Sequence, residues 1–241
     1  VTMGTGSLLT MNMANGWTAD GGSTFNVSSN MAGAAAQIDG GHFTFGGDLN
    51  IGGSQGHLRV LADTTIVAAA DVFLGTSDRL EFDGNTTIEG GLYNVSAGGR
   101  IDFDGPTQIG GGTFNLVGST PAQGVVNFNG GTVWSGSTTI NGFARQLGDA
   151  TVSTPTTINA TVLDMDGSNN VAWTINHALT VNTQAIELGS QQFDGTFNMN
   201  AGAVGRLTLN LSDPNASWTM NGTMNRSEEH RVGKECRSRW S

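Results

Sequence analysis

The sequence predicts an all-β chain wound as a parallel β-helix (a solenoid), with three short strands in each coil and coils about 21–22 positions long. Three observations predict it. Two central segments, RLEFDGNTTIEGGLYNVS (79–96) and RIDFDGPTQIGGGTFNLV (100–117), align without a gap at an offset of 21, with 9 of 18 positions identical. Such self-similarity marks stacked units, each unable to bury its apolar face alone. Apolar and polar residues also alternate in runs of strand length that end in glycine, as in STFNVS, HFTFGG and DLNIGG between positions 23 and 53. Finally, the copied positions include outward ones. An antiparallel sandwich or barrel needs alternation, but not an arginine, an acid and an asparagine repeated at constant offset.

Taken in order, the stretch up to Ile51 is Gly/Asn/Thr/Ser-rich with short alternating runs. Its one helix-like run, MAGAAAQI (31–38), is too short to stand alone and reads as a turn or small excursion. HLRVLADTTIVAAADVFL (57–74) is a looser copy of the central unit, with Thr64-Thr65-Ile66 standing one coil ahead of Thr86-Thr87-Ile88.

The central unit shows how a coil is built. In RLEFD, Leu80 and Phe82 share one side of a strand while Arg79, Glu81 and Asp83 share the other. Gly84-Asn85 turns the chain, Thr86 and Ile88 face inward, Gly90-Gly91 turns it again, and Tyr93 and Val95 face inward on a third strand. One coil on, this places Leu80 on Ile101, Phe82 on Phe103, Ile88 on Ile109, Tyr93 on Phe114 and Asn94 on Asn115. VVNFNGGTVW (125–134) repeats RIDFDGPTQI at an offset of 25, so positions 119–123 are inserted at a turn. STTING and PTTINA (from 137 and 155) repeat a strand entry, and TFNV, TFNL and TFNM recur at Thr24, Thr113 and Thr196, as do GWTAD, AWTIN and SWTMN.

Composition narrows the functional classes. The chain has 241 residues, 37 glycines, 10 basic and 20 acidic residues, and a formal net charge of −10. Residues 226–241 (RSEEHRVGKECRSRWS) break the pattern and hold Lys234 and Cys236, the only lysine and cysteine. This stretch resembles a translated sequencing adapter, so residues 1–225 are expected to be a β-helix repeat domain from a longer protein and 226–241 a non-native tail. The remaining five basic residues, all arginine, face 17 acidic ones. That balance argues against nucleic acid and anionic membrane as partners. No run approaches the roughly 18 apolar residues of a membrane helix.

The candidate ligand-binding residues are an acidic column, Glu81, Asp83, Asp102 and Asp104, which reads either as a cation or sugar site or as a solvated face. The solvated face is the favoured reading, and calcium is the one cofactor the column suggests. Asp164–Asn170 (DMDGSNN) has the oxygen spacing of half a calcium loop without its closing glutamate, and reads as a turn. His42, His57, His177 and His230 show no metal-ligand spacing. No G-x-S-x-G occurs with a helix behind it, so no catalytic residue is assigned.

With RIDFDGPTQIGGGTFNL as the repeating coil, the body resembles bacterial secreted β-solenoids: the passenger regions of autotransporters and filamentous-haemagglutinin-like adhesins. The resemblance covers most of residues 1–225. It implies a right-handed parallel β-helix, placement outside the cell or on its outer surface, and a structural or adhesive role without catalysis. The partners implied are glycans or proteins of a host or the environment. The alternative is a polysaccharide-active enzyme, a lyase or glycoside hydrolase, on the same scaffold. Asp83 and Asp104 with Arg79 and Arg100 are the material it would draw on.

Overall fold

Because strand side chains alternate, a chain that follows RLEFD with RIDFD one coil later can bury Leu80 and Phe82 only by laying each copy on the next. The computed structural model shows this arrangement. It describes residues 9–12, 17–19, 24–29, 36–53, 55–118, 120–165, 171–187, 192–193, 196–200, 206–211, 219–220 and 223–227. Among these, all strand pairings are parallel and no helix occurs.

Three ladders run the length of the solenoid. The first face stacks Leu9–Asn12, Ala36–Asp39, His57–Val60, Arg79–Phe82, Gly99–Phe103 and Gly124–Phe128, then the last residues of Thr132–Gln146, Thr156–Asp164 and Ala178–Glu187. The second face stacks Trp17–Ala19, His42–Phe45, Asp63–Ile66, Thr86–Ile88, the starts of Thr107–Leu116 and Thr132–Gln146, Ala150–Val152, Ala172–Ile175, Thr196–Asn200 and Thr223–Ser227. The third face begins with Thr24–Ser29, Asp48–Gly53, Asp71–Leu74 and Leu92–Val95, and continues through the later long strands to Arg206–Leu211.

The core between these faces is a set of columns. Phe82, Phe103 and Phe128 stack at 5.1 and 5.4 Å between ring centroids, each pair within 6° of parallel. Tyr93 lies 4.3 Å over Phe114, and its hydroxyl donates to the Gly90 carbonyl. Burial pushes the Tyr93 phenol far above its ordinary pKa, so it stays neutral. Gln146 takes the next place in the phenylalanine column. Its amide accepts from Trp134 Nε1 at 3.3 Å and donates to Thr132 Oγ1 and the Gly148 carbonyl, so the buried polar group is satisfied.

Over the central coils, the corner between the first and second faces has a constant length. Val60 to Ile66, Phe82 to Ile88, Phe103 to Ile109, Phe128 to Trp134 and Gln146 to Val152 each span the same six positions. Backbone contact explains this. A Cβ at Gly84, Gly105, Gly130 or Gly148 would fall within 3.0 Å of a carbonyl oxygen of the preceding coil. The buried threonines that follow, Thr64, Thr86, Thr107 and Thr132, donate their hydroxyls to the carbonyl two residues back and lock the turn. Gly105→Ala is therefore expected to cost about 1–3 kcal/mol through overpacking against rigid backbone. Gly131→Ala, where an added Cβ meets nothing within 4 Å, is expected to be nearly silent in the same denaturant titration.

Some sequence expectations are corrected here. The run at 31–38 is not simply a turn: Ala36–Asp39 is a strand of the first face, held between Leu9–Asn12 and His57–Val60. Ladder pairing on both sides overrides an alanine-rich local preference. STTING and PTTINA do not stack motif on motif. Ile140 pairs with Ala160, and Thr138 with Ile158, a shift of two positions that keeps Ile140 and Ile158 both inward. TFNV and TFNL lie on the third face, whereas TFNM lies on the second. Of the terminal stretch, Arg226 and Ser227 continue a second-face strand, and 228–241 lie outside the described residues. The Asp164–Asn170 turn falls mostly outside them as well.

Candidate functional site

The outward side of the first face carries the sequence-predicted acidic column. Glu81 pairs with Asp102 in register, as the repeat requires. Like charges on adjacent parallel strands repel, so the column is stable only if cations are interleaved. The structure supplies them from the same face. Arg79 Nε donates to Asp102 Oδ2 at 2.9 Å and its terminal nitrogen to Glu81 Oε1 at 2.6 Å. Arg100 Nε donates to Asp102 Oδ1 at 2.6 Å, and Asn127 Nδ2 to the same oxygen at 2.8 Å. His57 Nε2 lies 2.6 Å from Glu81 Oε2.

The solvated-face reading is thereby corrected for two of the four acids. Asp102 is fully buried and Glu81 nearly so, at 0% and 9% exposure, because the two arginines lie across them. Asp83 and Asp104 stay nearer solvent. Arg59 Nε donates to Asp83 Oδ2 at 2.8 Å, and this partner raises the Arg59 pKa above its ordinary value. Asp104 accepts from Asn129 Nδ2. Burial is the main cause pushing the Asp104 carboxyl up. The Asn129 bond lowers it in part, and the negative charges of Asp102, Glu81 and Asp83 raise it further.

Glu81, Asp83 and Asp104 each offer a carboxylate oxygen within 4.8 Å of the others. They form the one group among the described residues whose donors could hold a metal ion. Hard cations such as calcium take oxygen ligands of this type. Asp102, the fourth member of the predicted column, does not join that group and is engaged by Arg79 and Arg100. Further along the face, outward Val125, Phe143 and Val162 form a second small apolar cluster, with the Arg145 guanidinium 5.2 Å over the Phe143 ring. Sequence reasoning missed this cluster, because an outward strand position carries no label for what covers it.

The third face presents amides. Asn50 donates to Asn26 at 3.0 Å, Asn115 to Asn94 at 3.0 Å, Asn141 to Asn115 at 2.8 Å and Asn182 to Asn159 at 2.7 Å. The predicted Asn94–Asn115 step is thus one rung of a longer ladder, broken between Asn50 and Asn94 by half-exposed Phe73. These amides are occupied by one another. His42 and His57 lie on different faces, and neither joins a metal-ligand set with His177.

Asp78 stands at the corner between the third and first faces, where the neighbouring coils have Gly56 and Gly99. It is 1% exposed. One oxygen accepts from the Gly56 amide at 2.5 Å and the other has no hydrogen-bond partner. Burial raises its pKa, and the nearby backbone amides of Gly56 and Gly75 offset part of the shift. The folded state therefore holds this proton more tightly than the unfolded chain. The stability it contributes is fully present below the unfolded pKa and is lost as pH rises through the folded one. Asp78→Asn is expected to raise the denaturation midpoint at neutral pH and to flatten its decline between mildly acidic and neutral conditions. An unchanged pH profile would count against this account.

On the second face a shallow groove of about 250 Å³ lies between the corner residues Asn85, Pro106 and Gly131 and the outward side chains Thr87, Gln108 and Val133. No protein-family model matches this chain, and neither the curated proteins nor the solved structures return a match.

Proposed function

We infer that the chain is part of a structural or adhesive rod, borne outside the cell or on its outer surface, of the kind formed by autotransporter passengers and filamentous-haemagglutinin-like adhesins. The observation that carries this reading is the use of charged groups. Every arginine of the central coils is committed to an acid of its own or the next coil, as in the Arg79–Asp102–Arg100 clamp. Residues repeated and neutralised coil by coil support a scaffold, whereas a catalytic site is a single departure from the repeat. Rod stiffness follows from the stacked core side chains and the amide ladders, and partners would be glycans or proteins met along its sides.

A second reading, a polysaccharide lyase or glycoside hydrolase, draws on one observation: the cluster of Glu81, Asp83 and Asp104 beside Arg59 and Arg79. Incubation of the chain with acidic and neutral polysaccharides, with and without calcium, separates the two. Binding without new reducing ends or unsaturated products is the expected result. Chain cleavage lost in Asp83→Asn would transfer the assignment to the enzyme.

A further inference from the structure

The second-face groove differs from the other surfaces in three respects. It is lined by no charged residue, although the chain carries a formal net charge of −10. Its side-chain polar groups are unspent: Thr87 and Gln108 make no side-chain hydrogen bond among the described residues, and Asn85 uses its Nδ2 on Asp63 while its side-chain Oδ1 stays open. The buried threonines beside them have their hydroxyls committed to backbone carbonyls. Apolar surface is offered between these groups by Pro106 and by Val133, which is 36% exposed.

The groove owes its shape to the repeat and to a departure from it. Thr87, Gln108 and Val133 occupy successive rungs of one outward column, and Asn85, Pro106 and Gly131 occupy successive corner positions. Along that corner the side chain shrinks to nothing at Gly131, and the trough opens there. Neighbouring rungs stand about 4.8 Å apart, so an extended ligand lying along the solenoid axis meets one outward side chain per rung.

We propose that this groove is a binding subsite for a neutral saccharide. Such a ring presents C–H faces to Pro106 and Val133, and its hydroxyls can both donate to and accept from Thr87 and Gln108 and can donate to Asn85 Oδ1. Small pockets of this kind combine apolar walls with a few polar groups that fix orientation. An anionic sugar would lose hydration here without gaining a cationic partner. The inference deepens the adhesive reading by giving it a contact surface, but it does not depend on the absence of cleavage elsewhere on the rod.

The test is titration of the isotope-labelled chain with tetrasaccharides of glucose, mannose, galactose and N-acetylglucosamine, and with tetragalacturonate as the charged counterpart. Amide shifts at Thr87, Gln108 and Val133 are expected with at least one neutral sugar, and none with tetragalacturonate. Gly131→Trp fills the open trough without backbone strain and is expected to weaken that binding by at least about tenfold. Gly52→Trp, at an equally open position on the third face, is expected to leave it unchanged. The proposal is overturned if no neutral sugar binds, if Gly131→Trp binds as well as the parent, or if only the charged sugar binds. Cleavage of any of these sugars would overturn the non-catalytic reading while leaving the groove's occupancy to be judged by the two tryptophan variants.

Discussion

Replacing Phe103 with alanine is expected to cost about 3–5 kcal/mol, the range for deleting a large buried aromatic side chain. Phe103 is fully buried and lies between Phe82 and Phe128, nearly parallel to both, so its loss removes two ring contacts and leaves a cavity that rigid strands cannot close. The measurement is denaturant unfolding followed by circular dichroism. Phe73→Ala is the control, since that ring is 38% exposed on the third face, and it is expected to change stability by less than about 0.5 kcal/mol. Equal effects at the two positions would contradict the columnar core.

The second large effect is expected at Asp102. Asp102→Ala removes a fully buried carboxylate that accepts from Arg79, Arg100 and Asn127. Breaking a buried ion pair from one side costs about 3–5 kcal/mol because the partner charges are left uncompensated. The low end of that range applies here. The arginine side chains are 39% and 46% exposed and can recover water. Asp83→Ala is expected to cost no more than about 1 kcal/mol, because the Arg59 side chain it pairs with is 45% exposed and can recover water. A thermal melt of the two variants side by side decides the matter: similar losses would mean that Asp102 is no more a structural keystone than its neighbour.

The inner columns were legible from the sequence because an ungapped offset sets direction and register together. Leu80 over Ile101, Ile88 over Ile109 and Tyr93 over Phe114 all follow from it. The fate of the outer acids was not legible. Alternation states that Glu81 and Asp102 point away from the core, but not that Arg79 and Arg100 fold back over them and exclude water. Register drifted where local similarity competed with the coil. STTING and PTTINA match when Ser137 is laid on Pro155, yet the strands settle two positions away, because a shift of two keeps every apolar side chain inside and costs little. The groove escaped notice for a different reason: it depends on the side chain missing at Gly131 between two columns, which becomes visible only when three coils are stacked.

The fixed length of the first corner has a consequence for how such a chain can diversify. Where backbones touch from coil to coil in the central region there is no room for an additional residue in that geometry, and the longer passage from Ile38 to Phe45 uses Gly40 and Gly41, both with positive φ. The extra residues of the central region, including Thr120–Gln123, instead emerge between the third and first faces. In the central coils, insertions are therefore expected away from the first corner, chiefly along the edge where the third face meets the first. Loops acquired there by duplication or recombination would all project from the same edge, giving an otherwise uniform fibre a distinct side on which new specificities can accumulate.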